Sequence, residues 1–193
     1  MKETLKALTK DMWNIPNALT MLRLALVPVF VILYLNGLNW WALGVFCLAS
    51  VTDYFDGRLA RKLNQITSFG KLFDPLADKL MVIAALACHV VKGVFPLPPL
   101  ILIAVKELLM LLGGAFLLNR GVVVYANMYG KVATVFFMAA LIAGFFHDFF
   151  TQWGFQLDVV LLWVAVCLSL LALCVYAARM FRQLKDGEKP DAE

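Results

Sequence analysis

The sequence predicts an all-α integral membrane protein with six transmembrane helices, an N-terminal amphipathic interfacial helix and both termini cytoplasmic. Three observations predict it. The chain of 193 residues is 63% hydrophobic and 16% charged with a mean hydropathy of +0.83, too little polar surface to cover a soluble domain of that size. Six apolar runs are each long enough to cross about 30 Å of hydrocarbon at about 1.5 Å per residue. The basic residues between those runs fall almost entirely on one side.

Residues 1–13 place Lys2, Lys6 and Lys10 opposite Leu5, Leu8 and Met12 at helical spacing, which suits a short helix lying on an anionic membrane surface. No small-residue cleavage site follows the first apolar run, so no removable leader is expected. Asn14-Ile15-Pro16-Asn17 breaks that helix, and Asn17 or Thr20 can cap the next. The spans are expected near 18–35, 40–59, 73–91, 98–118, 128–146 and 157–180, within a single membrane domain over 14–185, followed by a disordered polar tail at 186–193.

Orientation follows from the cations. Three lysines precede the first span; Arg58, Arg61, Lys62 and Lys71 lie between the second and third, Arg120 and Lys131 between the fourth and fifth, and Arg179, Arg182, Lys185 and Lys189 at the end. The opposite loops offer only Lys92. Both termini are therefore expected in the cytoplasm, with Trp40, Trp41 and Trp153 in an aromatic belt at the other face. The net charge of +4 is modest and reads as topology and headgroup attraction, not nucleic-acid binding. Cys47, Cys88, Cys167 and Cys174 all lie in apolar runs without CxxC spacing and read as small core residues.

Against this frame stand four carboxylates. Asp53 and Asp56 are three residues apart, Asp74 and Asp78 four apart, so on helices each pair shares a face. Acids beside apolar runs are expensive and normally face a polar cavity or pair with cations. Bare, these four would repel one another and take up protons; one or two divalent ions would relieve the repulsion, and hard oxygen ligands favour magnesium, calcium or manganese over zinc. Gly57, Ala60 and Gly70 fall one turn from an aspartate and leave room for a bulky ligand, while the Arg61 fork suits phosphate. Together these residues describe a site for a metal-bridged diphosphate, with one carboxylate left to take a proton from an attacking hydroxyl.

Asp53-x-x-Asp56-Gly57-x-x-Ala60-Arg61 followed by Gly70-x-x-x-Asp74-x-x-x-Asp78 resembles, at every position, the signature of the CDP-alcohol phosphotransferases. That resemblance implies transfer of a substituted phosphate from a CDP-linked donor to an alcohol with release of CMP. It also implies a six-helix, dimeric fold with a metal-dependent site, of two Mg2+ or Mn2+ ions, open to the cytoplasm. Carried over, Asp53, Asp56, Asp74 and Asp78 would ligate the metal, and Asp78 would also be the catalytic base. Asp53, Asp56, Gly57, Ala60, Arg61, Gly70 and Asp74 would bind CDP.

Asn14-Ile15-Pro16-Asn17-x-Leu19-Thr20-x-x-Arg23, the run from Phe69 to Lys79, Arg120-Gly121 and Gly130-Lys131-x-x-Thr134 look like the phosphatidylglycerophosphate synthase branch of that family, so the similarity covers most of the chain. That branch uses CDP-diacylglycerol and glycerol 3-phosphate in a bacterial cytoplasmic membrane. A phosphorylated acceptor needs cations, and Thr20, Arg23, Lys71, Lys106, Arg120 and Lys131 are the candidates, the lysines and Arg120 being read at the cytoplasmic end. Where the branch has Arg-Glu in the fourth span, this chain has Lys106-Glu107, which keeps the charge and loses the bidentate fork. Related cardiolipin synthases share much of the signature and would take phosphatidylglycerol as acceptor instead.

Plainer readings stand beside these. A small transporter would line its ion path with such acids, although here they gather near one membrane edge and transport has no use for the Gly/Ala/Arg spacing. A salt-bridged hairpin using Arg58, Arg61 and Lys79 would not need four acids. Lys79 suits snorkelling, Arg23 a cavity, and Lys106-Glu107 either a local pair or an acceptor contact. His89 and His147 read as structural, the Phe145-Phe146 and Phe149-Phe150 pairs as packing, and Gly113-Gly114 as a close-packing position that a dimer could use.

Overall fold

The computed structural model describes residues 15–63, 68–119 and 128–187. The expected interfacial helix over 1–13, Arg120 and residues 188–193 lie outside the described residues, and so do the side chains of residues 53–78. Among the described residues all regular structure is helical: α1 (Ile15–Leu35), α2 (Asn39–Leu63), α3 (Ser68–Val91), α4 (Leu97–Asn119), α5 (Met128–Gly144), the short α6 (His147–Gln152) and α7 (Leu157–Gly187). Two windows, Leu97–Gly114 and Leu157–Met180, are long and apolar enough to cross a membrane, and shorter apolar stretches occupy Thr20–Leu35, Asn39–Thr52, Lys79–Val91 and Met128–Gly144. Large apolar side chains lie exposed along them, among them Ile32, Val91, Leu112 and Val135. A soluble domain keeps such exposed patches small, so this surface fits a membrane protein.

The helices gather into two compact units, α1–α3 and α4–α7. In the first, α1 packs against both α2 and α3. Its buried face carries Phe30 and Tyr34, with Ala42, Phe46 and Ala49 from α2 and Met81, Ala85, Leu86 and Cys88 from α3. Phe30 stacks on Tyr34 with ring centres 5.8 Å apart and lies 6.0 Å from the Phe46 ring. Pro28 sits inside α1 on its exposed side, a position that helices in apolar surroundings tolerate.

α1 stops at a glycine for a specific reason. Gly37 has φ +80°, the Gly37 amide donates to the Tyr34 carbonyl at 3.0 Å, and the Leu38 amide donates to the Leu33 carbonyl at 3.0 Å. This is the Schellman arrangement, which needs a residue without a Cβ penalty in the left-handed region. Gly154 repeats it after α6, with φ +71° and the Phe155 amide donating to the Phe150 carbonyl at 3.2 Å.

In the second unit α5 lies along α7, and α4 also packs on α7. Ala133, Phe137, Ala140, Leu141 and Gly144 form the buried stripe of α5, and Leu162, Ala165, Val166, Ser169 and Ala172 that of α7. Small residues in both stripes let the two backbones approach, as helices in lipid do where burial supplies little drive. Gly113 and Gly114 face Tyr176 and Met180 of α7, where an added methyl would meet atoms at 3.8 to 4.0 Å, so contacts within the chain do not force either glycine.

Several elements differ from expectation. α2 runs to Leu63 and α3 starts at Ser68, so Arg58, Arg61, Lys62 and Lys71 belong to helices instead of a long loop. Hydropathy marks where a helix leaves hydrocarbon, not where it ends. α6 occupies residues read as the loop between the last two spans, and α7 continues past Met180 to Gly187. Both histidines have partners: Tyr34 Oη lies 2.5 Å from Nδ1 of fully buried His89, and His147 Nδ1 lies 2.6 Å from Oδ2 of fully buried Asp158. Asp158 stands in the first turn of α7, where a carboxylate is favoured. Lys92 caps the first cluster, its ammonium 5.6 Å from the Tyr34 ring centre.

Candidate active site

The acidic signature sits on continuous helical backbone. Asp53, Asp56, Gly57, Ala60 and Arg61 belong to the C-terminal part of α2, and Gly70, Lys71, Asp74 and Asp78 to the N-terminal part of α3. Four residues separate the two helices, so both acid pairs lie toward the joined ends of one hairpin. Helical backbone gives the three- and four-residue spacings their meaning, one face per pair. Neither Asp74 nor Asp78 stands in the first turn of α3, which removes helix capping as a reason for them.

The donor chemistry suits a hard divalent ion, being all carboxylate oxygen. Among the described residues no group of three or more His, Cys, Asp or Glu is placed to hold a metal ion, and the side chains of the four aspartates lie outside them. The two histidines are engaged elsewhere, by Tyr34 and Asp158.

The candidate acceptor residues separate. Thr20 and Arg23, one turn apart on α1, are 0% and 1% exposed in the first unit. Lys106 and Lys131 meet in the second unit, around a cavity of about 230 Å³ lined also by Met110, Gly130, Thr134, Ala172 and Tyr176. Lys71 and Arg120 lie outside the described side chains. Lys106 stands near the middle of the apolar Leu97–Gly114 window, not at its cytoplasmic end as expected.

A charge at that depth needs an answer, and the neighbouring residue supplies one: Lys106 Nζ lies 2.6 Å from Glu107 Oε1, with the two side chains 13% and 17% exposed. The local-pair reading of Lys106-Glu107 is therefore correct, and the same lysine still lines the cavity. Thr134 Oγ1 donates to the Gly130 carbonyl at 3.0 Å, which orients the hydroxyl beside Lys131. Gly130 and Ala172 leave the space open, and Tyr176 brings a phenol to the wall. Tyr176 is the residue that sequence reasoning missed, since a tyrosine in an apolar span carries no local mark of what it faces.

Lys106, Lys131, Thr134 and Tyr176 bring polar groups to the edge of a cavity whose walls are otherwise largely apolar, a setting in which a small anion with an apolar part can be held. An apolar recess on α7 lined by Val159, Val160, Trp163, Val164, Cys167 and Leu168 offers none of that chemistry.

Comparison with known proteins agrees with this chemistry. The chain is 37% identical over 190 residues to a CDP-diacylglycerol–glycerol-3-phosphate 3-phosphatidyltransferase of Bacillus subtilis (strain 168), covering 90% of this chain and 98% of the relative. A Rickettsia typhi protein of the same name is 41% identical over 133 residues, 67% of this chain and 75% of its own. A CMP-forming cardiolipin synthase of Streptomyces coelicolor is 38% identical over 139 residues, 68% of this chain and 65% of its own. The sequence profile described as CDP-alcohol phosphatidyltransferase matches residues 13–186, a span that includes every position of the acidic signature, and the chain belongs to that family.

Proposed function

We propose that this chain transfers the phosphatidyl group of CDP-diacylglycerol to sn-glycerol 3-phosphate, giving phosphatidylglycerophosphate and CMP. The observation that carries the reading is a complete acidic signature in a chain that aligns with almost the whole of a relative bearing that name. The relatives of that name favour glycerol 3-phosphate over the phosphatidylglycerol that a cardiolipin synthase would accept.

Asp53, Asp56, Asp74 and Asp78 would hold one or two divalent ions, magnesium or manganese by their donor chemistry. When bound, these ions neutralise the diphosphate and the charge that develops on the leaving CMP. Gly57, Ala60 and Gly70 leave room for the nucleotide, and Arg61 offers its fork to a phosphate. Within the second unit, Lys106, paired with Glu107, and Lys131 line a cavity that offers cations to a small anion. Asp78 takes the proton from the 1-hydroxyl of glycerol 3-phosphate. That oxygen bonds to the lipid-side phosphorus, the bond from this phosphorus to the bridging diphosphate oxygen breaks, and CMP departs with the electron pair.

The same reading places six spans in a bacterial cytoplasmic membrane, both termini and the acids on the cytoplasmic side, and two copies in the working enzyme. The cation distribution supports the orientation.

Chelation and Asp78→Asn test the site together. Chelator should stop CMP release, with Mg2+ or Mn2+ restoring it. Asp78→Asn should lower turnover by about 100-fold or more while CDP-diacylglycerol still binds. Activity indifferent to chelator would remove the metal from the account, and loss of donor binding in Asp78→Asn would make Asp78 a metal ligand alone.

A further inference from the structure

Arg23 is 1% exposed and Thr20 0% exposed, side by side on the inner face of α1. A guanidinium stays charged at any physiological pH, and burying it costs several kcal/mol unless an anion answers it. Within α1–α3 the acidic residues are Asp53, Asp56, Asp74 and Asp78, and only Glu3 and Asp11 precede α1.

Helix register points to the same four. Phe30 of α1 meets Phe46 of α2 across antiparallel helices joined by a tight turn. Seven residues back along α1 is Arg23, and seven residues on along α2 is Asp53. Tyr34 meets His89 of α3, which runs parallel to α1. Eleven residues back from Tyr34 is again Arg23, and eleven back from His89 is Asp78. Seven and eleven residues are close to two and three whole turns, so each of these positions keeps the face of its anchor, about 10 Å or about 16 Å away.

We propose that Thr20 and Arg23 are positioning residues of the carboxylate site, not ligands of the acceptor. Arg23 is the buried counter-charge at the depth of Asp53 and Asp78, and Thr20, buried one turn before it, supports the position of Arg23. The inference rests on the proposed metal-dependent site and changes the role of two of its residues. Arg23 orders the carboxylates and at the same time opposes the charge of an incoming divalent ion, so its removal tightens the ion while degrading the geometry for catalysis.

The test is Mn2+ binding to the full chain in detergent, followed by electron paramagnetic resonance without nucleotide or acceptor, beside steady-state kinetics. Arg23→Gln should bind Mn2+ about tenfold more tightly and lose at least about tenfold in turnover, with the KM for glycerol 3-phosphate within about twofold of the parent. Arg23→Lys should keep Mn2+ affinity within about twofold. Thr20→Val, which keeps the shape and removes the hydroxyl, should tighten Mn2+ binding by about threefold, and it decides the matter if Arg23→Gln does not fold. Unchanged Mn2+ affinity in Arg23→Gln or Thr20→Val overturns the proposal. So does a tenfold rise in the KM for glycerol 3-phosphate in Arg23→Lys with Mn2+ affinity unmoved, which would make Arg23 an acceptor ligand. A parent protein that binds no Mn2+ removes the metal site and this inference with it, whereas CMP release assays judge the proposed reaction separately.

Discussion

Lys106 carries an ammonium into the middle of an apolar helix, and Glu107 beside it, at 2.6 Å, keeps that charge tolerable. The pair turns a costly residue into a poised one, because an anion entering the cavity can take over the lysine without exposing it to lipid. Lys131, exposed at the start of α5, faces the same cavity and has no such guard. The two lysines should therefore respond differently to substitution. Lys131→Ala should raise the KM for glycerol 3-phosphate by about 10- to 100-fold, the worth of one charge-assisted hydrogen bond, and leave the KM for CDP-diacylglycerol alone. A change confined to the CDP-diacylglycerol KM would move the acceptor site elsewhere. Lys106→Ala should do the same and also lower thermal stability, since it removes the cation from the Glu107 ion pair.

Among the elements, α1 is the spine of the first unit, touching both α2 and α3. Its last turn is tied to the last turns of α3 by Tyr34 and His89, with the acid-bearing segments at the other ends of α2 and α3. That separation makes a clean experiment. Tyr34→Phe leaves the fully buried His89 without the phenol and should cost about 1 to 3 kcal/mol, read as a lower unfolding temperature in detergent. Turnover at permissive temperature should hold. Lost turnover with unchanged stability would mean that the Tyr34–His89 end takes part in the reaction.

This pairing also marks the limit of what the sequence discloses. The acid signature was legible because four aspartates at fixed spacing in a chain poor in charge have few other uses. The all-helical, apolar character was legible because apolar runs of that length have few alternatives. Tyr34 and His89 are 55 residues apart, and nothing local announces that they meet. Lys106 was set at the cytoplasmic end because a phosphorylated acceptor needs cations there, although the span expected over 98–118 already held it well inside. Only the packing around it, with Glu107 adjacent and the cavity beyond, explains a mid-helix lysine. The helix ends of α2 and α3 were hidden for a related reason: both continue through polar residues whose periodicity hydropathy does not register.

At the scale of the whole molecule, the proposed orientation in the membrane follows from the cations and tryptophans. Trp40, Trp41 and Trp153 are all more than 70% exposed, each beside a tight turn, as an interfacial belt requires. Orientation can be checked by single cysteines in a background with the four native ones replaced. Asn36→Cys and Trp153→Cys should react with an impermeant maleimide in intact cells, and Lys2→Cys and Lys185→Cys only after permeabilisation. The reverse pattern would invert the topology, and a mixed one would break the six-span count.

The central claim is the reaction itself, and the acceptor decides it. Purified protein with Mg2+ and CDP-diacylglycerol should release CMP when given glycerol 3-phosphate, and not when given phosphatidylglycerol. Release with phosphatidylglycerol alone would contradict the account: the chain would then be a cardiolipin synthase of the same family, and the lysine-lined cavity would need another ligand.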